Sequence, residues 1–326
     1  MTTRHSRLPL KWLLRVGVSA LVLGIVLYML PTEEVWKTLR AISFWAWSAC
    51  LAIFLLGHVV ASLKWRLLIR DAAPITPGLA VRAHFAGLVA NLCLPGVAGG
   101  DVVRAGLAMR GAHDGAAVAV GSLADRLIDM LALLVLGFIG AQLAASADVG
   151  AIGTLMRVGA ALLIILGGAL VGAKFAMRLP LHGKLQMLVS KVANAIDGFA
   201  SNPGRPLVAF VLALLIQSTF IGLNAYLAAK SGMEVPVAAW FFAWPVAKLV
   251  ATAPVSVAGL GVREATLATI MAPMGVDPAL VVAVGLVWQS ILFAGGFLGG
   301  ALLLLSGGLT QSNSDTSIAH SGHTSL

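Results

Sequence analysis

Apolar runs of roughly 20 residues recur from one end of this chain to the other, and that pattern excludes most folds. Each run is long enough to cross the ~30 Å hydrocarbon core as a helix, and the runs are too many for the core of one soluble domain. Of 326 residues, 59% are hydrophobic and 11% are charged, where a soluble domain carries about 25% charged residues. A transmembrane barrel would alternate polar and apolar residues with period two, and "LALLVLGFIGAQLAA" (131–145) does not. The expected fold is all-α, a polytopic integral membrane helical bundle.

Six full spans are expected, at 13–30, 43–63, 116–142, 152–173, 206–229 and 279–306. The basic, apolar N-terminus resembles a signal peptide, but no small-x-small cleavage site follows Leu30, so it reads as a retained first helix. Basic residues gather before the first span (Arg4, Arg7, Lys11, Arg15) and after the second (Lys64, Arg66, Arg70, Arg82). They gather again before the third (Arg104, Arg110) and between the fourth and fifth (Lys174, Arg178, Lys184, Lys191, Arg205). The positive-inside rule puts all four clusters, and the N-terminus, in the cytoplasm, and it accounts for the net charge of +9 without nucleic acid. The segment 181–205 carries apolar residues at helical spacing among lysines and reads as an amphipathic helix on that face. Cys50 and Cys93, far apart and each in apolar surroundings, suggest neither a metal clip nor a disulfide.

That topology closes only if 83–100 enters and leaves on one side, as a re-entrant hairpin. A second such stretch lies between the fifth and sixth spans. "LVANLCLPGVAGGDVVRAG" (88–106) and "LVATAPVSVAGLGVREATL" (249–267) share LVA, a proline, VAG, a further glycine and an arginine, with one gap. Span, hairpin, span thus occurs twice, at 43–142 and 206–306, in opposite orientations, which is the inverted-repeat plan of many secondary transporters. The alternative is chance similarity between two alanine- and glycine-rich segments.

Non-helical backbone at membrane depth requires protein or a wet cavity to satisfy its amides, so Pro95, Gly96, Gly99 and Gly100 imply a polar cavity beside them. Asp101 is expected to cap the helix that restarts there, whose N-terminus favours an anion. Arg104, one turn in, adds a guanidinium able to fork onto phosphate. The second hairpin repeats the parts, with Ser256 as a candidate cap, Gly259 and Gly261 for close approach, and Arg263 and Glu264 just beyond.

Asp125, Arg126 and Asp129 lie near the start of the third span, where a charge must face the bundle interior or the interface. Asp125 and Asp129 share a helix face and can pair with a basic residue on another element, with Arg104, Lys248 and Arg263 as available partners. They can hold the packing together or carry a coupling ion. D-x-x-x-D can also bind Mg²⁺ and a diphosphate, but prenyl transferases of that kind carry two acid-rich motifs and only one is found here. His58 and His84 each stand alone in sequence and read as hydrogen-bonded core residues rather than metal ligands. No G-x-S-x-G, Walker loop or HExxH is present, and no cofactor is expected.

"NLCLPGVAGGDVVRA", "SLADRLIDM" and "PVSVAGLGVREA", in this order, resemble the transmembrane region of lysylphosphatidylglycerol synthases and their stand-alone, flippase-like relatives. The resemblance implies a domain that translocates or handles anionic or modified lipids in prokaryotic cytoplasmic membranes. The sequence departs from the full-length synthases in ending on a polar tail, 307–326, with no soluble acyl-transfer domain, so lipid aminoacylation is not expected of it. The function expected is therefore a flippase-like transporter of a lipid with an anionic or isoprenoid-linked headgroup. A membrane enzyme or accessory subunit of lipid or glycan synthesis, and a small-solute secondary transporter, are the other readings.

Overall fold

The computed structural model describes residues 40–93, 99–110, 112–144, 201–252 and 261–305, with the isolated positions 36, 37, 186, 190, 193, 194, 197 and 198. The expected spans at 13–30 and 152–173 and nearly all of the amphipathic segment 181–205 lie outside the described residues. All regular structure within them is helical. Eight α-helices follow in order: α1 (Phe44–Ile69), α2 (Pro77–Cys93), α3 (Gly99–Met109), α4 (Gly115–Leu143), α5 (Gly204–Lys230), α6 (Val237–Ala251), α7 (Val262–Met271) and α8 (Pro278–Leu305), with a 3-10 turn at Ala272–Met274. Among the described residues, three helices, Phe44–Ile69, Gly204–Lys230 and the Pro278–Ala301 part of α8, are long and apolar enough to cross a membrane.

The helices begin where local chemistry satisfies their free amides. Ser43 accepts the Ala46 N–H at 3.2 Å, and Asp114 accepts those of Ala116 and Ala117. Two helices start on the same device, a polar cap followed by proline. Thr76 precedes Pro77 and accepts the Leu79 N–H, and Asp277 precedes Pro278 and accepts the Ala279 N–H. Proline suits this first position because the helix has no partner for an N–H there.

The helix lengths run 26, 17, 11 and 29 residues, then 27, 15, 10 and 28. Contacts along the long helices fix their directions. Phe54 packs on Phe220 while Asp71, just past α1, pairs with Arg205 at the start of α5, so α1 and α5 are antiparallel. Gly121 lies against Ile69 and Asp129 against Lys64, so α4 also opposes α1. Trp47 donates to Ser290 at 2.9 Å and Phe54 meets Gly295, so α8 runs parallel to α1. Corresponding helices of the two sets, α1 with α5 and α4 with α8, therefore point in opposite directions.

The short helices α2 and α3 lie side by side. Gly87 faces Gly100, and Ala80, Ala83, Ala105 and Ala108 share one buried cluster with Trp65 and Ile69. The two ends of this pair are tied together, for His113 donates its N–H to the Ala72 carbonyl at 3.1 Å. The pair thus leaves and returns to the level where α1 ends and α4 begins. In the second set, α6 and α7 pack into the largest apolar cluster with Trp240, Trp244, Leu267, Met271 and Trp288.

Two expectations need correction. Helix α1 runs through Lys64 to Ile69 rather than ending at 63, so Lys64 belongs to the helix and not to a loop. Helix α3 begins at Gly99, so Asp101 sits in its first turn and its carboxylate faces arginines rather than capping the helix.

Candidate functional site

A cavity of about 280 Å³ opens where the two helix sets meet. The first set lines it with His58, His84, Asn91, Asp101, Arg104, Asp125, Arg126 and Asp129, and the second with Gln217, Phe220, Trp244, Lys248, Arg263, Trp288 and Gln289.

The wall from the first set is a neutral ion network. Arg104 on α3 reaches Asp125 on α4 at 3.0 Å and Asp101, one turn before it, at 3.2 Å. Arg126 donates to the other oxygen of Asp101. Lys64, 1% exposed, has its Nζ 3.0 Å from Asp125 Oδ1 and also pairs with Asp129. Asp125 and Asp129 meet one lysine because four residues bring a helix back to the same face. Three cations match three carboxylates, as burial demands, since an unpaired buried ion costs several kcal/mol (order of magnitude). Arg104 also lies over the Trp65 ring at 4.7 Å, a cation–π contact.

Two imidazoles extend this network. His58 Nδ1 and His84 Nε2 are 3.0 Å apart, and His84 Nδ1 lies 3.4 Å from an Arg104 nitrogen. The histidines that stand alone in sequence are therefore joined in space. They are hydrogen-bonded as expected, but to each other and on the cavity wall.

The wall from the second set is different. Arg263, on the first turn of α7, pairs with Glu264, donates to Gln289 Oε1 at 3.1 Å, and lies over the Trp244 ring at 5.4 Å. Glu264 in turn accepts the Gly261 N–H at 2.9 Å, closing the start of α7. Gly261 has φ +79°, a conformation that side chains with a Cβ rarely adopt. Lys248 donates to Gln217 Oε1 at 2.8 Å and pairs with no carboxylate among the described residues. Trp244 Nε1, Gln289 Nε2 and Arg104 Nε are buried cavity-wall donors with no partner among the described residues. Each such group costs about 1–3 kcal/mol while unsatisfied.

The residues singled out from sequence divide as follows. Arg104, Asp101, Asp125, Arg126, Asp129, Gly100, Lys248 and Arg263 all line the cavity. Gly100 also allows the α2–α3 contact, because a Cβ there would overlap the Gly87 carbonyl and the Asn91 side chain, whose Oδ1 accepts the Gly100 N–H at 2.8 Å. Glu264, Gly261 and Gly99 are not on the cavity wall, and Glu264 acts behind it by holding Arg263. Ser256 and Gly259 lie outside the described residues. Of the partners expected for Asp125 and Asp129, only Arg104 is one, for Lys248 turns to Gln217 and Arg263 to Glu264. Lys64 takes the place that sequence reading left for them. Its signal was the apolar "LLI" that resumes after "KWR", which marks a charge inside a continuing helix.

The described residues are those of an all-helical, multi-pass membrane protein in which two pairs of short helices, α2–α3 and α6–α7, bring charged residues to one cavity. The family comparison gives this class a particular address. The family model for the lysylphosphatidylglycerol synthase TM region matches residues 12–300, and the chain belongs to that family. No curated protein and no solved structure matches it.

Proposed function

We propose that this protein moves a lipid with an anionic headgroup between the leaflets of a prokaryotic cytoplasmic membrane, with the headgroup passing through the cavity and the acyl chains staying in the bilayer. The observation that carries the reading is the charged cavity itself, placed between two helix sets that run in opposite directions. A charge at bilayer depth costs ~2.5–3.5 kcal/mol on insertion scales, so a wall of this many ionised groups needs a polar occupant or a tight pairing scheme. The first wall has the pairing scheme, with Arg104 Nε alone left open among the described residues, and the second leaves the Trp244 and Gln289 donors open.

In this reading the sets at 43–142 and 206–306 form an inverted repeat, α2–α3 and α6–α7 are its two re-entrant pairs, and the N-terminus is cytoplasmic. The near-equal helix lengths and opposed directions support the repeat. Each set also sends the arginine after its break to its own fourth helix, Arg104 to Asp125 and Arg263 to Gln289. Family membership supports work on lipids.

The test is leaflet redistribution. The purified protein is reconstituted into phosphatidylcholine vesicles with a trace of fluorophore-labelled phosphatidylglycerol, and dithionite bleaches label in the outer leaflet. The reading expects the protected inner-leaflet fraction to drain in vesicles that contain protein. A protected fraction equal to that of protein-free vesicles overturns it.

A further inference from the structure

The two arginines that sequence reading nominated as anion binders already have acids of their own. Arg104 is held by Asp101 and Asp125, and Arg263 by Glu264. Among the described residues, Lys248 is the cavity cation left without a carboxylate partner. Among the charged residues named above, Lys64, Arg104 and Arg126 balance Asp101, Asp125 and Asp129, Arg263 balances Glu264, and Lys248 meets only the neutral amide of Gln217.

The groups around it share one chemistry. Trp244, one turn before Lys248 on α6 and 2% exposed, has an indole N–H that can only donate, and it has no partner among the described residues. Gln289, 3% exposed, must turn its amide oxygen to Arg263, because a guanidinium has no acceptor, and that leaves its unpartnered NH₂ for the cavity. Phe220, beneath the Lys248 ammonium at 6.0 Å, offers no acceptor beyond its ring face. An occupant of this wall must therefore bring acceptor oxygens and a negative charge.

We propose that Lys248, Trp244 Nε1 and Gln289 Nε2 form the anion subsite of the cavity, and that its ligand is a phosphate group. The inference rests on the reading of the cavity as a headgroup site and names which residues hold the charge. Arg104 and Arg263 then serve as positioning residues, the first within the ion network of its wall and the second by aiming the Gln289 amide. The phosphate can come from a phospholipid headgroup or from free phosphate, and the experiment separates the two.

The full-length protein in a neutral detergent is titrated with a short-chain phosphatidylglycerol, with diacylglycerol of the same chain length, and with inorganic phosphate, and binding is read by native mass spectrometry and thermal shift. Lys248→Met keeps an unbranched chain one atom shorter and removes the charge, Trp244→Phe removes the N–H, and Gln289→Leu removes the amide. Phosphatidylglycerol is expected to bind and diacylglycerol to bind at least tenfold more weakly. Lys248→Met should lose at least tenfold in affinity, and each other variant several-fold. Because Lys248→Met strands no ion among the described residues, only the neutral Gln217 Oε1, its melting temperature without ligand should stay close to wild type, and Lys248→Arg should recover part of the binding. Competition by inorganic phosphate alone assigns the site to free phosphate, and its absence assigns the site to the lipid. Equal binding of diacylglycerol, or unchanged binding by Lys248→Met, overturns the proposal. Binding through Lys248 with no leaflet redistribution would uphold the subsite and refute translocation.

Discussion

Lys64 on α1 clasps Asp125 on α4, with Nζ 3.0 Å from Oδ1, and both side chains are almost wholly buried. The same ammonium pairs with Asp129 one turn on. This clasp joins the first and fourth helices of the first set, and it decides what substitutions there should do. Lys64→Met leaves two carboxylates facing each other, and Asp125→Asn leaves Lys64 and Arg104 with less charge to meet. Breaking a buried pair costs ~3–5 kcal/mol, so each single variant should accumulate in membranes at a small fraction of the wild-type level. The double variant Lys64→Met, Asp125→Leu removes charges from both sides and should recover more protein than Asp125→Asn, as read by immunoblot of membrane fractions. Equal loss in all three would mean that the clasp does not stabilise the fold.

The clasp also explains which part of the fold is legible in the sequence. The expected spans at 43–63, 116–142, 206–229 and 279–306 correspond to helices at Phe44–Ile69, Gly115–Leu143, Gly204–Lys230 and Pro278–Leu305. Their starts agree within two residues because polar caps and prolines mark them locally. The one large error is the end of the first, where Lys64 looked like the edge of the membrane. Its acids lie more than sixty residues away, and a distant partner leaves no mark on the residues beside it. The same holds for the cavity. Gly100, Asp101, Arg104 and Arg263 are legible because they stand beside proline- and glycine-rich stretches of sequence, whereas Trp244, Gln217 and Gln289 are single polar groups on apolar helices that only packing brings together.

The α2–α3 contact depends on two glycines. At Gly100 a Cβ would overlap the Gly87 carbonyl and the Asn91 side chain, and at Gly87 it would lie 2.7 Å from the Gly100 oxygen. Either alanine variant must push the helices apart, which typically costs about 1–3 kcal/mol. Gly106→Ala, on the same helix with nothing near its Cβ, should be neutral or slightly stabilising. Melting temperatures in detergent separate them, and a normal Gly100→Ala would contradict the close approach.

Gly261 tests the second break in a different way. Its φ of +79° makes any L side chain strained, at roughly 1–3 kcal/mol, whatever the surrounding space. Gly261→Ala should lower stability and loosen Glu264, which accepts the Gly261 N–H. Gly222→Ala, in an α-helix with open space at its Cβ, is the control and should not. If both alanine variants melt alike, the turn does not constrain α7.

Opposed helix directions predict opposite exposure of two turns. Thr76 follows α1 and Glu234 follows α5, both are exposed, and α1 and α5 are antiparallel. In a background with Cys50 and Cys93 replaced by serine, Glu234→Cys should label from outside intact cells and Thr76→Cys only after permeabilisation. Both turns labelling from the same side would refute the inverted repeat.

If the cavity between the helix sets holds a lipid headgroup, a cryo-EM map of the protein in phosphatidylglycerol nanodiscs will show it. Phosphate-sized density is expected within hydrogen-bonding distance of Lys248, Trp244 Nε1 and Gln289 Nε2, continuous with acyl-chain density that reaches the bilayer, and it should be lost in Lys248→Met. A cavity that holds only water in the wild type, with ordered lipid confined to the outer surface of the helices, would contradict it.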